Sequence, residues 1–304
     1  VTVSDSISLA HGEALESAVA GISGQQSGTL AYNKVTDSST NLSASNTAAN
    51  QTRAITGKTI IVNTDTAVTL DQLNTIRTNV DAAGQGSGGV THSSVTDTYA
   101  NLTSTTASKA GANSEYIKRK TVVVTTASTL ANIAALKTLV LDGQNNVSFT
   151  HNAIHDTRAL ITADINNSAG ANVFDKTVTV SDAVTIAQGE TLEGLITAGG
   201  NTTGTLAYSK VTDSAANIAD DSATNTGGTK AITGKTVVID TATSLSQLNT
   251  IKTRVDAANQ GSGSVTHTAV TDTYANLTDT DDAKAGSSSV NIVGKTVVVT
   301  TGAR

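Results

Sequence analysis

A phrase of nine residues, Val-Thr-Asp-Thr-Tyr-Ala-Asn-Leu-Thr, occurs twice in the chain without a change, at residues 95–103 and 270–278. Looser copies occupy residues 35–42, 154–161 and 211–218. Recurrence of one phrase at intervals is typical of repeat proteins, in which each unit packs against its neighbours. The chain of 304 residues is therefore interpreted as an array of units rather than as one or two globular cores.

The length of the unit follows from a second recurrent element, a Lys-Thr pair followed by β-branched residues. Its lysines are spaced by 62, 56, 59 and 60 residues, and they are Lys58, Lys120, Lys176, Lys235 and Lys295. Three unit types alternate, called A, B and C here, because Val1 matches Val178 and Lys120 matches Lys295. The pattern predicts units at residues 1–57 (A), 58–119 (B), 120–175 (C), 176–234 (A) and 235–294 (B), followed by the first strand of a further type C unit at 295–304.

Each unit combines strand and helix signals in the same order. The Lys-Thr-Val-Val-Val run is typical of a buried strand, and residues at helical spacing follow it, such as Leu70, Leu73, Ile76 and Val80. A glycine-rich break then leads into a second strand and the recurrent phrase. Since parallel strands joined by helical crossovers wind right-handed, we expect an α/β repeat solenoid with a parallel β-sheet on one side, helices on the other, and about two coils per unit of roughly 59 residues.

Two polar positions recur within the phrase. An Asp stands where the second strand passes into a short helical turn, at Asp37, Asp97, Asp156, Asp213 and Asp272. Its carboxylate can accept from the free N–H groups of that turn, so these residues are predicted strand-to-helix caps. An Asn follows four residues later, at Asn41, Asn101, Asn217 and Asn276, with Leu160 in its place in the third copy. We predict that these amides form a structural ladder by bonding backbone groups of the adjacent coil.

A ring-bearing residue recurs five positions before the Asp. This ring column consists of Tyr32, His92, His151, Tyr208 and His267. Strands lie about 4.8 Å apart, so equivalent residues two coils apart would be separated by about 10 Å, too far to share a metal ion. Rings that stack or form hydrogen bonds are the favoured interpretation. His151 and His155 share a strand face beside Asp156, but no other unit repeats that pair.

Acidic residues near the end of the second type B unit are weak candidates for a calcium site. Asp279, Asp281 and Asp282 could supply oxygen ligands, but their spacing differs from that of known calcium loops. Solvated loop acids are the favoured interpretation, with calcium as the open alternative. Otherwise we expect no metal and no cofactor.

Composition excludes several classes of function. With 19 basic and 25 acidic residues, the net charge of -6 is spread along the chain, and no basic stripe exists to displace phosphate counterions from nucleic acid. No apolar run approaches the roughly 18 residues that a membrane span needs. The sequence contains no nucleophile elbow, no zinc-protease string and no break in the repetition where chemistry is inserted, so we expect that the protein is not an enzyme.

The phrase Val-Thr-Asp-Ser-Ala-Ala-Asn-Ile at 211–218 resembles the Asp-Thr-Ala-Ala-Asn-Leu repeats of very large secreted bacterial surface proteins. These include cyanobacterial and proteobacterial adhesins and S-layer-like proteins, and residues 178–182 are similar to another phrase of such arrays. The resemblance implies an extracellular structural or adhesive role and carries no catalytic residue across. Many of those proteins also bear Gly-Gly-x-Gly-x-Asp calcium repeats, which this chain lacks.

The expected function is that of a structural segment of a bacterial surface assembly, such as a filament, a surface layer or an adhesin stalk, located outside the cell or on its surface. Neither end of the sequence shows a polar capping unit, so we expect self-association through the chain ends. The alternative is an adhesive module that binds glycans or a host surface through the variable loops at 43–53 and 219–230. Neither nucleic acid nor a membrane is an expected partner.

Overall fold

The computed structural model describes residues 2–20, 30–44, 55–63, 67–81, 89–104, 114–143, 147–168, 170–198, 204–220, 232, 234–256, 263–279 and 289–301. The chain is a mixed α/β protein, and the predicted combination of helices with parallel strands is confirmed. It divides into two compact units, Val1–Asn152 and Ala153–Arg304. Each unit is described by itself below.

The first unit contains two small parallel sheets among its described residues. The first sheet has the order β1 (Lys34–Asp37), β2 (Thr59–Val62), β3 (Val90–Thr91), and the second has the order β4 (Ser94–Asp97), β5 (Thr121–Val124), β6 (Phe149–His151). The helices of this unit are α1 (Leu9–Ala20), α2 (Ser39–Ala44), α3 (Leu70–Asp81), α4 (Tyr99–Leu102), α5 (Ser114–Ile117) and α6 (Leu130–Leu141).

The second unit repeats this plan. Its parallel sheets are β7 (Ala153–Asp156), β8 (Thr177–Val180), β9 (Thr205–Tyr208); β10 (Lys210–Asp213), β11 (Thr236–Ile239), β12 (Ser264–His267); and the pair β13 (Ala269–Asp272), β14 (Thr296–Val299). The helices are α7 (Arg158–Ser168), α8 (Ile186–Ala198), α9 (Ala215–Asp220), α10 (Leu245–Val255), α11 (Tyr274–Thr278) and α12 (Ser289–Ile292).

A short bend divides each phrase-bearing segment between two sheets. In the second unit, Tyr208 at the end of β9 pairs with Val180 of the preceding strand β8. After Ser209, Lys210 begins β10 and pairs with Thr236 of the following strand β11. One extended segment therefore joins the Lys-Thr strand before it to the Lys-Thr strand after it, and this connection places the phrase between two coils.

The core is aliphatic and lies between the strands and the longer helices. Alternate strand residues such as Val35, Ile60 and Val95 are completely buried, as a strand with one inward face requires. The predicted apolar stripe of α3 is confirmed, since Leu70, Leu73, Ile76 and Val80 are all buried. The equivalent stripe of α10 consists of Leu245, Leu248, Ile251 and Val255, and it is buried as well.

A left-handed residue precedes every Lys-Thr strand. Its φ lies between 57° and 72°, and the residues are Gly57, Arg119, Asp175, Gly234 and Gly294. Where this contact is described, the N–H of the left-handed residue donates to the end of the long helix that follows the Lys-Thr strand, as from Gly57 to the Val80 carbonyl at 2.8 Å and from Gly234 to the Val255 carbonyl at 2.9 Å. The turn thus closes each long helix against the start of a strand, and glycine suits it because a positive φ carries no steric cost there.

Candidate functional site

The recurrent Asp links the end of its strand to the start of the long helix that precedes it. Asp97 ends strand β4 and is buried, with 7% of its surface exposed. Its Oδ2 accepts from the backbone N–H of Leu70, 27 residues earlier, at 2.9 Å. Its Oδ1 accepts from the Thr98 N–H at 2.7 Å and from Nδ2 of Asn101 at 2.8 Å. One carboxylate therefore satisfies the first N–H of helix α3 and two groups of its own phrase.

The same arrangement recurs in four of the five copies of the phrase. Oδ2 accepts from the first N–H of the preceding long helix at 2.9–3.0 Å, in the pairs Asp37 with Leu9, Asp97 with Leu70, Asp213 with Ile186 and Asp272 with Leu245. Oδ1 accepts from the Asn side chain at 2.7–2.8 Å in the same four copies, from Asn41, Asn101, Asn217 and Asn276. In the remaining copy, Asp156 accepts from the Thr157 N–H at 2.8 Å, and Leu160, which takes the place of the Asn, has no side-chain amide.

The Asp has a further target beside the predicted one. We expected it to accept from N–H groups of its own helical turn, and Oδ1 does accept from the N–H that opens this turn, as from Thr98. The next residue caps the helical N–H groups of the turn, as when Thr98 Oγ1 accepts from the Asn101 N–H at 3.2 Å. In addition, Oδ2 caps the long helix that precedes the strand, as at Leu70, because the two carboxylate oxygens can accept in two directions.

The recurrent Asn makes a side-chain bond that the predicted ladder did not include. Its Nδ2 donates to the Asp of its own phrase, four residues earlier, as from Asn101 to Asp97 and from Asn217 to Asp213. Since one helical turn brings residues i and i+4 together, the amide is held where it orients the carboxylate. The four Asn residues therefore position the Asp caps.

The helices that follow the phrase-bearing strands receive an equivalent cap from the turn after the next Lys-Thr strand. The first helical N–H of α4 donates from Tyr99 to Thr126 Oγ1 at 3.0 Å. Ala215 at the start of α9 donates to Thr241 Oγ1 at 2.8 Å, and Arg158 of α7 donates to Asp182 Oδ1 at 2.7 Å. These acceptors were not predicted from the sequence. The signal that could have found them is the recurrence of Thr or Asp two positions after each Lys-Thr strand.

Electrostatics favours ionised carboxylates in these caps. At Asp272, burial acts to raise the pKa, but hydrogen bonds from Asn276, the Leu245 N–H and the Thr273 N–H lower it below the ordinary value of 3.8. Each carboxylate also lies at a helix N-terminus, where the helix dipole stabilises negative charge. The Asp272 carboxylate is therefore charged at neutral pH, and that charge strengthens its bond to the start of helix α10.

The ring column is buried at all five of its positions. Tyr32, His92, His151, Tyr208 and His267 expose between 2% and 6% of their surfaces. Three of these residues, His151, Tyr208 and His267, lie beside an apolar residue of the neighbouring Lys-Thr strand, as His267 does beside Ile239. The column therefore lies in the core and not on a surface that a ligand could reach.

The size of each ring is complementary to the size of the residue that faces it on the adjacent helix. In the type A units, a Cβ added to Gly12 would lie 3.1 Å from the Tyr32 hydroxyl, and one added to Gly189 would lie 2.9 Å from the Tyr208 hydroxyl. In type B units, the equivalent helix positions hold Leu73 and Leu248, and the rings are the smaller His92 and His267. A small helix residue thus accompanies Tyr and a large one accompanies His.

The tyrosine sites add polar contacts to this packing. Tyr32 donates to Glu16 Oε1 at 2.8 Å, and burial together with this bond raises the Tyr32 pKa. The Lys58 ammonium lies 4.3 Å from the centre of the Tyr32 ring, and Lys235 lies 4.8 Å from that of Tyr208. Cation–π contacts of this kind fix the Lys of the Lys-Thr pair over the column.

No metal centre is formed among the described residues, where no group of three or more His, Asp or Glu side chains comes together. Of the weak calcium candidates, Asp279 follows α11 and donates its N–H to the Asn276 carbonyl at 3.3 Å, whereas Asp281 and Asp282 lie outside the described residues. The variable loops also lie outside them, at 45–53 and 221–230. In the part of the chain that the structure describes, no helix has the length and apolar character of a membrane span.

The chain matches no family model, and it is similar to no curated protein and to no solved structure. The repeated polar groups of the described residues bond to helix starts in other segments of the chain and to one another.

Proposed function

We propose that the protein is an extracellular structural segment of a bacterial surface assembly, such as a filament, a surface layer or an adhesin stalk, and that it is not an enzyme. The observation that carries this proposal is the inter-coil cap. Asp37, Asp97, Asp213 and Asp272 each bond to the first helical N–H of the coil before them. Chemistry repeated in this way serves cohesion along an array, whereas an active site requires one position that departs from the repeat.

The proposed architecture is a right-handed solenoid with about two coils in each repeat unit of roughly 59 residues. Parallel pairing of every described strand supports it, as does the position of four of the five Lys-Thr strands, β2, β5, β8 and β11, each of which lies between two phrase-bearing strands. Parallel strands with helical crossovers wind right-handed in nearly all known cases.

We further propose that subunits associate through an exposed sheet edge. Strand β14 pairs with β13, and every residue of β14 is exposed, including Val297, Val298 and Val299 at 41–49%. The equivalent strand β5 has a partner on both edges. An exposed apolar strand with an unpaired edge favours addition of a further strand.

The location outside the cell and the adhesive alternative rest on the resemblance to secreted surface repeats. In the alternative, loops 43–53 and 219–230 recognise glycans. Glycan-array binding that disappears when both loops are replaced by Gly-Ser linkers would support that alternative over a purely structural role.

Negative-stain electron microscopy combined with a mass measurement tests the structural proposal. We expect uniform fibres from the chain. Val297→Pro should abolish these fibres. The amides of Thr296 and Thr300 donate towards the β13 side, so the Val297 N–H faces the open edge, where proline has no N–H to donate to an added strand. Val298→Thr retains that N–H and should still form fibres. Monodisperse particles of 30.6 kDa from the unaltered chain would contradict association through this edge.

A further inference from the structure

Two buried histidines occupy equivalent places in the two type B units. His92 Nε2 lies 2.8 Å from the backbone oxygen of Tyr116, and His267 Nε2 lies 2.8 Å from that of Asn291. In both cases the ring belongs to the phrase-bearing segment and the carbonyl to the short helix, α5 or α12, that precedes the next Lys-Thr strand. The contact therefore ties two successive coils together.

The carbonyl partner determines where the imidazole proton lies. A carbonyl oxygen accepts only, so Nε2 must carry the hydrogen, and Nδ1 of the neutral ring keeps its lone pair. The Nδ1 atoms of His92 and His267 are buried without a hydrogen-bond partner. A second proton can bind only at Nδ1, where it creates a buried cation whose new N–H has no acceptor.

The charged groups around the two rings do not favour such a cation. Lys120 acts on His92 with a positive charge, and the Arg77 guanidinium lies 5.0 Å from the centre of the Tyr116 ring against which His92 stacks. Beside the second site, the Lys252 ammonium donates to Asn291 Oδ1 at 2.6 Å. Protonation of His92 would thus place positive charge next to Lys120 and Arg77.

We propose that His92 forms an acid-sensitive switch within the first type B unit: protonation at Nδ1 releases the ring from the Tyr116 carbonyl and opens that junction between coils. The type A junctions remain closed, because Tyr32 and Tyr208 occupy the same column and gain no charge in acid. The array would then loosen at a defined place and not along its whole length.

The sign of the effect follows from linkage. Burial, aided by the Lys120 charge, lowers the pKa of His92 from 6.5 to about 4. Between these values the unfolded or opened ring binds a proton that the closed ring excludes, so the closed state loses stability as the pH falls from 6.5 to about 4. Above pH 6.5 the ring is neutral in both states, and the junction is at full strength.

Hydrogen–deuterium exchange between about pH 7 and pH 4.5, corrected for the intrinsic exchange rate at each pH, tests the switch. The reporters are the amides of Arg119 and Thr121, which bond to Val140 and Ser93 beside the His92 site. Their opening constant should rise by up to about tenfold per pH unit below 6.5. The matched amides Gly57 and Thr59, which bond to Val80 and Asn33 beside Tyr32, should not respond.

Two variants distinguish the effect of His92 protonation from the general effects of acid on the protein. His92→Gln keeps an N–H donor but does not titrate, so the Arg119 and Thr121 amides should lose their pH dependence. His155→Gln alters an exposed histidine and should behave like the unaltered chain. An equal rise at both pairs of amides, or none at either, would overturn the proposal. If the His92→Gln variant does not fold, an NMR titration of His92 in the unaltered chain tests the proposal. A titration midpoint at or above pH 6.5 would exclude the switch.

Discussion

At the scale of single residues, the Asp caps concentrate several contacts in one side chain. Asp213 accepts from the Ile186 N–H at 3.0 Å, the Ser214 N–H at 2.7 Å and Asn217 Nδ2 at 2.8 Å. Hydrogen bonds to a charged group contribute more than neutral ones, and a buried donor without an acceptor is costly. This one carboxylate should therefore matter more than any surface acid of the chain.

We expect Asp213→Ala to lower the free energy of unfolding by about 2–4 kcal/mol, because it deprives three donors of their acceptor and removes the cap of α8. Urea unfolding followed by circular dichroism measures this loss. Asp220→Ala, at an exposed position at the end of α9, is the matched control and should change stability by less than about 0.5 kcal/mol. Equal effects of the two substitutions would contradict the role given to the cap.

A second prediction at this scale concerns the match between the ring of the column and the helix residue that faces it. Gly189→Leu should destabilise the protein by about 1–3 kcal/mol, because its side chain would occupy the space of the Tyr208 hydroxyl. Combining it with Tyr208→His creates the Leu–His pair of the type B units and should restore much of the loss. A double-mutant cycle measures the coupling, and strictly additive effects would show that the two positions are independent.

At the scale of elements, the turn before each Lys-Thr strand depends on a left-handed residue. Arg119 adopts φ 57° at a position that glycine occupies in three other copies. A side chain makes this conformation costly by about 1–2 kcal/mol, partly offset by the greater freedom of glycine in the unfolded chain. Glycine destabilises the interior of a helix, but at this turn it should stabilise the fold.

We expect Arg119→Gly to be more stable than Arg119→Ala by about 1 kcal/mol, in the order opposite to that found inside helices. The Ala variant is the control, because both substitutions remove the ion pair of Arg119 with Asp142 while only Ala keeps a Cβ at positive φ. Thermal unfolding compares the two. A more stable Ala variant would show that the turn does not require the left-handed conformation.

At the scale of the whole molecule, each compact unit is linked by contacts between segments that are close in sequence. Every described cap of this kind runs in one direction: a helix begins in one segment, and its acceptor comes from a strand end or turn 24–28 residues later. The effect of a local substitution should therefore be felt mainly in the segments that these caps join.

Much of the architecture could be predicted from sequence because it depends on local periodicity. The Lys-Thr strands, the apolar stripe of α3 and the mixed α/β character follow from alternation of period two and helical spacing within one coil. The recurrence of Asp97 and its equivalents likewise marks a capping residue, although not the helix that it caps. The left-handed conformation of Arg119 could not be predicted, since a residue other than glycine gives no local signal of positive φ.

The sequence by itself determined the period, the order of the elements and the identity of the recurrent polar residues. Only the tertiary structure decided what those residues bond to: Asp97 caps Leu70, Asn101 orients Asp97, and His92 meets the Tyr116 carbonyl. The physical reason is that periodicity records which face of a helix or strand is buried, whereas these bonds depend on how one element is aligned on another. Partners 27 residues apart, such as Leu70 and Asp97, meet only once the helix has packed on the sheet.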